Sequence, residues 1–291
     1  MNSTILYSAR KEDLISPYKG GGFFPAGVPK TDGALCAEMA RLAYCRGSSG
    51  LAFDQDSITN VLKRVGFTKC QFFESVGHFH GGGTHCFLAV REDGDKTLAV
   101  LSFRGTDADD PTDIATDADT ILTPWETGGT VHEGFAKALN EVRPNLDQAL
   151  KSIDFRILFT GHSLGAALAT LQASVRKPHS LYTFGSPRVG DSQFINILNG
   201  LPGRRYVDCC DIVTRVPPET LGFVHVGDPY YIKLDRNIEF KPQPGLMKAD
   251  QDQAREEYLI NYAWKIGNVA VRDLADHAPI NYVTAVTAND P

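Results

Sequence analysis

The sequence contains no long apolar run: nowhere do its 291 residues approach the ~20 consecutive apolar positions that a membrane-spanning helix needs. It also lacks a Lys/Arg-rich block, and its net charge is -6, so nucleic acid is not an expected partner. Six cysteines are too few for a disulfide scaffold, and no Cys-x-x-Cys or His/Cys grid suggests zinc. Cys209 and Cys210 are adjacent and the other four sit in apolar contexts, so free thiols are expected. Met1 to Pro17 carries Arg10, Lys11, Glu12 and Asp13 without an apolar core, so no signal peptide is read there. That leaves a cytoplasmic protein, or a secreted one whose signal is missing from this sequence. Internal repeats and low-complexity segments are absent as well. What remains is a chain that is 42% apolar, enough for one sizeable α/β core spanning residues 1–291.

Residues 1–30 form a Gly/Pro-rich extension, with Gly20-Gly21-Gly22, Pro25 and Pro29, and read as coil. Thr31 or Asp32 is placed to cap a helix through Cys36, Met39, Ala40, Ala43 and Tyr44, and a second helix is expected over 56–65. Two runs of β-formers, 84–90 and 97–103, flank Glu92-Asp93-Gly94-Asp95, which is a hairpin signal. Helices and strands then alternate. This implies a mostly parallel central sheet with helices on both faces, following an N-terminal antiparallel hairpin. Expected elements are a helix over 134–152 with Pro144 as a kink point, and strands at 157–160, 181–184, 205–210 and 230–234. Residues 236–255 are polar, contain Pro242 and Pro244, and read as an excursion outside the core. A final helix starts near Pro279.

The chemistry concentrates at Gly161-His162-Ser163-Leu164-Gly165, between an apolar run and the small-residue helix 166–175. A serine pushed out on a strand-turn-helix elbow crowds its own backbone unless the residues two before and two after it are small. The helix that begins there aims unpaired N–H groups and its positive dipole end at the reacting centre. An activated serine needs a histidine base and a carboxylate to orient it, and on a sheet of this kind they follow in the order Ser, Asp or Glu, His. Asp211 stands just past the strand 205–210, at the same rim as Ser163, which favours it over Asp208 and Asp191. His277, in a loop before Pro279, is favoured as base over His225, which lies only fourteen residues beyond Asp211.

An oxyanion hole needs two preorganised donors. The N–H of Leu164 comes with the elbow. For the second, His80-Gly81-Gly82-Gly83 precedes a strand where it ought to follow one, whereas Phe103-Arg104-Gly105-Thr106 closes the strand 97–103, so Thr106 is preferred. His78, His80 and His85 are close in sequence, but the intervening glycines read as a loop and no metal is expected.

Phe-Arg-Gly-Thr at 103–106, Val131-His132-Glu133-Gly134-Phe135, Gly-His-Ser-Leu-Gly with Ala166-Ala167-Leu168-Ala169, Gly-Ser-Pro-Arg-Val-Gly at 185–190, Val207-Asp208-Cys209-Cys210-Asp211 and Asp276-His277 occur in the order and at the spacing of one family. Over residues 31–290 the chain resembles the class 3 (fungal-type) lipases. The resemblance implies an α/β-hydrolase variant without cofactor, with Ser163, Asp211 and His277 as the triad and Thr106 and Leu164 as the oxyanion pair. It implies an ester or lipid substrate, with a lipid–water interface as one setting, and leaves the oligomeric state open.

Two departures stand out. Ala166 replaces a usual second glycine, which a helix start tolerates. Where family lipases carry a lid helix, residues 107–119 hold six aspartates and only Ile114 and alanines as apolar groups. A lid that opens onto oil needs a large apolar face. The family's feruloyl esterases have a comparably polar segment, so feruloyl or other short-chain, non-lipid esters are the alternative substrates to acylglycerols. An inactive binding module would need a broken triad, and none is visible. Ile121, Leu122, Pro124 and Trp125, or Leu221, Phe223, Tyr258 and Ile260, are candidates for the acyl pocket and equally for the core.

Overall fold

The computed structural model describes residues 6–47, 50–76, 83–106 and 121–291. The acidic segment 107–119, His78, His80 and glycines 81 and 82 lie outside the described residues.

Ten strands are described: β1 (Lys69–Glu74), β2 (His85–Arg91), β3 (Leu98–Phe103), β4 (Leu122–Pro124), β5 (Thr130–His132), β6 (Arg156–His162), β7 (Ser180–Phe184), β8 (Gly203–Asp208), β9 (Pro229–Ile232) and β10 (Ile238–Phe240). Eight of them form one sheet in the order β1-β2-β3-β6-β7-β8-β9-β10. The five strands from β3 to β9 in that order pair in parallel, while β1-β2, β2-β3 and β9-β10 are antiparallel. This is the α/β-hydrolase arrangement expected from the sequence, with the predicted hairpin as β2-β3.

Helices cover both faces because β3 and β6 are buried on both. Ala99, Leu101 and Phe103 face one cluster, built with α4 (Glu133–Leu150) and α5 (Leu164–Val175) through Phe135, Leu139, Leu146 and Leu168. Leu98 and Val100 face the other, shared with α2 (Asp32–Leu42) and α9 (Pro279–Asn289). This period-two division of an apolar strand between two helical layers is what a central parallel strand requires. Helix α2 starts where expected, with the Thr31 hydroxyl accepting from the Ala34 N–H at 3.2 Å. The second predicted helix is α3 (Gln55–Arg64). Pro144 lies within α4, which runs through it.

Several expectations need correction. The extension is not all coil: α1 (Lys11–Ile15) forms there, and buried Arg41 donates to the carbonyls of Pro17, Gly20 and Gly22, fastening the glycine stretch to α2. Residues 236–255 are not an excursion, because β10 closes the sheet and α7 (Pro244–Asn261) starts at Pro244. Pro at the first helical turn loses no needed N–H, so the proline starts α7 here. Strand β8 ends at Asp208, so Cys209 and Cys210 form a turn before Asp211. Strand β1, the β4-β5 hairpin, α6 (Ser192–Ile197) and the short α8 (Arg272–Ala275) have no counterpart in the sequence reading. All six cysteines are free thiols.

Candidate active site

Ser163 sits between β6 and α5 with φ 60° and ψ -131°, a conformation a side-chain-bearing residue adopts at a cost of ~1–3 kcal/mol. Packing holds it there. The Ser163 N–H donates to the Phe184 carbonyl at 3.0 Å. A Cβ at Gly161 would lie 2.2 Å from the Gly165 carbonyl oxygen, and one at Gly165 would lie 2.3 Å from that of Phe103. Both glycines are therefore required for the turn to close.

Three side chains from distant positions meet at this rim. His277 Nε2 is 2.9 Å from Ser163 Oγ, and His277 Nδ1 is 3.0 and 2.9 Å from the two Asp211 carboxylate oxygens. Ionised Asp211 can only accept, so Nδ1 carries the proton and Nε2 is left to accept from the serine hydroxyl. All three residues are buried. Asp211 is itself fixed: Oδ1 accepts from the Val213 N–H at 2.9 Å and Oδ2 from the Tyr282 hydroxyl at 2.5 Å. Burial, with the Asp211 charge beside it, pushes the Tyr282 hydroxyl well above its ordinary pKa, which keeps it a donor. Gly185, at φ +57°, passes so close that a Cβ there would lie 2.8 Å from Asp211 Oδ2 and 3.1 Å from the His277 ring.

The loop carrying the histidine is tethered twice. Asp276 Oδ2 accepts from the Cys210 N–H at 2.9 Å, tying that loop to the turn before Asp211. The His277 carbonyl accepts from His162 Nε2 at 2.8 Å, which leaves His162 Nδ1 to accept from the Tyr44 hydroxyl, also at 2.8 Å. Burial, followed by neighbouring His277, holds His162 well below the ordinary histidine pKa, so it is neutral and fixed as one tautomer.

Leu164 is the first residue of α5, so its N–H has no intrahelical acceptor. Thr106, at the end of the turn after β3, has a buried Oγ1 with no hydrogen-bond partner among the described residues. Both donors that the sequence reading singled out are thus free of described partners that would compete for them.

The other candidates are elsewhere. Asp208 makes a two-pronged ion pair with Arg236 Nη1, 2.9 Å to each oxygen. Asp191 caps α6 through the Phe194 N–H at 2.8 Å, and His225 Nε2 bonds the Thr214 carbonyl at 2.7 Å. His85 Nδ1 accepts from Arg104 at 2.7 Å, and burial with that guanidinium pulls its pKa down to about 4. Its Nδ1 is therefore occupied, and Nε2 lies 3.6 Å from a Glu74 carboxylate oxygen. Among the described residues Cys209, Cys210 and Asp276 group closely enough to ligate an ion. Asp276 already accepts from Tyr7, Cys210 and Arg272, and Cys209 lies 3.4 Å from both Tyr231 and Asp250, so the group reads as a packed hydrogen-bond cluster.

Residues 100–221 match the family model described as Lipase (class 3). Over that stretch the chain is similar to the class 3 lipases. It is 34% identical over 166 residues to the lipase of Rhizomucor miehei, a match covering 50% of this chain and 44% of that protein. It is 39% identical over 116 residues to the secreted mono- and diacylglycerol lipase 1 of Fusarium solani, covering 36% of this chain and 35% of the relative. The matches therefore span less than half the length of either curated relative. Among solved structures, the mono- and diacylglycerol lipase of Aspergillus oryzae superimposes with a TM-score of 0.57 at 25% identity, covering 70% of this chain and 81% of that one.

Within this α/β fold, the sequence reading missed the groups around the triad candidates. His162 stood inside a recognised motif, yet nothing in the motif says that its ring reaches the His277 backbone. Tyr282 had no signal beyond a place on the last helix. Two acyl-pocket candidates, Trp125 and Tyr258, are core residues: the Trp125 indole donates to Ser174 and the Tyr258 hydroxyl to the Val269 carbonyl. Ile121, Leu221 and Ile260 are exposed. No described helix is long and apolar enough to cross a membrane.

Proposed function

We propose that this protein is a serine carboxylic-ester hydrolase that cleaves acylglycerol esters through an acyl-enzyme. The observation that carries the reading is the unbroken relay from Ser163 Oγ through the His277 ring to Asp211. Ser163 attacks the ester carbonyl while His277 Nε2 takes its proton. Asp211 holds the ring and balances the imidazolium charge. The Leu164 N–H and the Thr106 hydroxyl or N–H receive the charge that develops on the carbonyl oxygen. His277 returns the proton to the departing alcohol, and water then releases the acid by the same path reversed. The acylglycerol assignment leans on the names of the Rhizomucor and Fusarium relatives. Of the two cellular settings expected from sequence, the secreted Fusarium relative favours export.

A second reading has its own support: the six aspartates of segment 107–119 favour feruloyl or short soluble esters over emulsified lipid. Turnover measured on p-nitrophenyl esters of increasing chain length, on feruloyl esters, and on a diacylglycerol below and above its solubility limit separates the two. The acylglycerol reading expects diacylglycerol to be the best substrate. A preference for feruloyl esters overturns it, and failure of a fluorophosphonate to label Ser163 overturns both.

A further inference from the structure

Away from the Ser163 rim, a cavity of about 250 Å³ runs along β7 and β8, on the sheet face that α5 also covers. Strand partners Thr183 and Arg205 lie side by side in its wall, and Leu181, Leu201, His225 and Val226 also line it. A lining that mixes apolar and polar groups is ordinary for a ligand pocket. The arginine is not. Arg205 makes one long hydrogen bond, from Nε to the Gly227 carbonyl at 3.3 Å, and its Nη groups reach no acceptor and no carboxylate among the described residues. Neighbouring Asp228 commits its carboxylate to Lys241 Nζ at 3.0 Å. The other arginines nearby are occupied, Arg188 by Glu219 and the Pro217 carbonyl, and Arg204 by Asp290 and the Pro291 carbonyl. Burial, together with the repulsion of Arg188, pulls the Arg205 guanidinium down to about 10, and the same two arginines add to burial in holding His225 well below its ordinary range. A half-buried guanidinium with unused donors facing a cavity of mixed lining can accept an anionic partner. A planar carboxylate matches its fork. A dianion would meet one uncommitted guanidinium only, because Arg204, also in the lining, is paired with Asp290, and Asp228 stands beside Arg205 on a protein of net charge -6.

We propose that this cavity binds a monocarboxylate with a short apolar chain, its head on Arg205 and its chain along Leu181, Leu201 and Val226. The site does not need the proposed hydrolase reading, although hydrolysis of an acyl ester would release a ligand of this class. The test is calorimetric titration of the full chain with octanoate, and with octanol as the arm that lacks the charge. Octanoate is expected to bind the parent protein more tightly than octanol. Arg205→Met should weaken octanoate by roughly 10-fold or more, the loss of a charge-assisted contact, while leaving octanol binding and p-nitrophenyl ester turnover unchanged. Val226→Trp keeps the charge but fills the cavity, should also abolish octanoate binding, and decides the matter alone should Arg205→Met fail to fold by circular dichroism. Octanoate binding that both variants retain, such as seating beside Ser163 would give, overturns the proposal, as does equal affinity for octanol or no binding to the parent. A parent protein that binds octanoate through Arg205 yet hydrolyses no ester would sink the proposed function and leave this site standing.

Discussion

Asp208 and Asp211 stand three residues apart at the end of one strand, both fully withdrawn from water, and they lead different lives. Asp211 faces the rim and holds the His277 ring, with help from Tyr282 and the Val213 N–H. Asp208 points the other way, into a charged layer beneath the site, where it grips Arg236. In the same layer Asp276 takes Arg272, and both arginines stack near Tyr7. The turn at Cys209 and Cys210 reverses the chain between the two carboxylates. A carboxylate facing a base that titrates can serve chemistry, because the pair can pass through an imidazolium state. A carboxylate facing a permanent guanidinium can serve only structure.

That contrast can be broken from either side. On the rim, Ser163→Ala should lower turnover on a p-nitrophenyl ester by about 10⁶-fold, with an unchanged melting profile; near-normal turnover would refute the proposed nucleophile. Asp211→Asn should cost about 10⁴-fold in kcat, because the wrong tautomer of His277 is then favoured. Its stability loss should be much smaller than for the other aspartate, since no permanent cation is stranded. Beneath the rim the pattern inverts: Asp208→Asn leaves Arg236 buried without a counter-ion and should lower unfolding stability by about 3–5 kcal/mol in urea titrations. The molecules that remain folded should keep kcat within roughly a few-fold. A collapse of kcat in fully folded Asp208→Asn protein would erase the division of labour.

Acid should act on the buried histidines. His85 has a folded pKa of about 4 against an ordinary 6.5, and burial also holds His162 and His225 down. For each, the unfolded chain binds the proton first. Their stabilisation is complete above about pH 6.5 and declines as pH falls toward 4, with a slope approaching ~1.4 kcal/mol per pH unit for each histidine. Asp54 and Asp191, whose pKa values are lowered, add loss only below their unfolded value of 3.8. Melting temperatures recorded between pH 7 and 4 should therefore fall steadily, and a flat profile would contradict the neutral, buried state of these rings. The smallest effect sharpens the comparison at the residue linking its two halves. The Tyr282 hydroxyl donates to Asp211 and also accepts from the Asp208 N–H at 3.0 Å. Tyr282→Phe should cost about 1–2 kcal/mol of stability and only about 10-fold in kcat. A loss as large as that of Asp211→Asn would make the tyrosine part of the reacting group.

Elements with strong local signals were legible in the sequence. The elbow at Ser163 depends on close backbone approaches that only glycine allows, and the β2-β3 hairpin and α2 carry their own turn and capping residues. Strand β10 and helix α7 were not legible, because Ile238–Phe240 pairs with β9 through its backbone and α7 buries only Ala254 and Tyr258. Strand β1 was missed for a similar reason: it is an edge strand with one exposed face, and Lys69–Glu74 is too polar to read as core.

Taken by itself, the order of residues determined the class of fold, the turn that projects Ser163, and a short choice of partners for it, since these follow from spacing, side-chain size and backbone freedom along a few consecutive positions. Which partner each group took was decided only by the tertiary structure: His277 for Asp211, Arg236 for Asp208, the His277 carbonyl for His162, and only the Gly227 carbonyl, among the described residues, for Arg205. Those pairings join residues far apart in the chain, and their energies depend on distance and burial in the packed molecule. Neither quantity exists until the sheet has assembled.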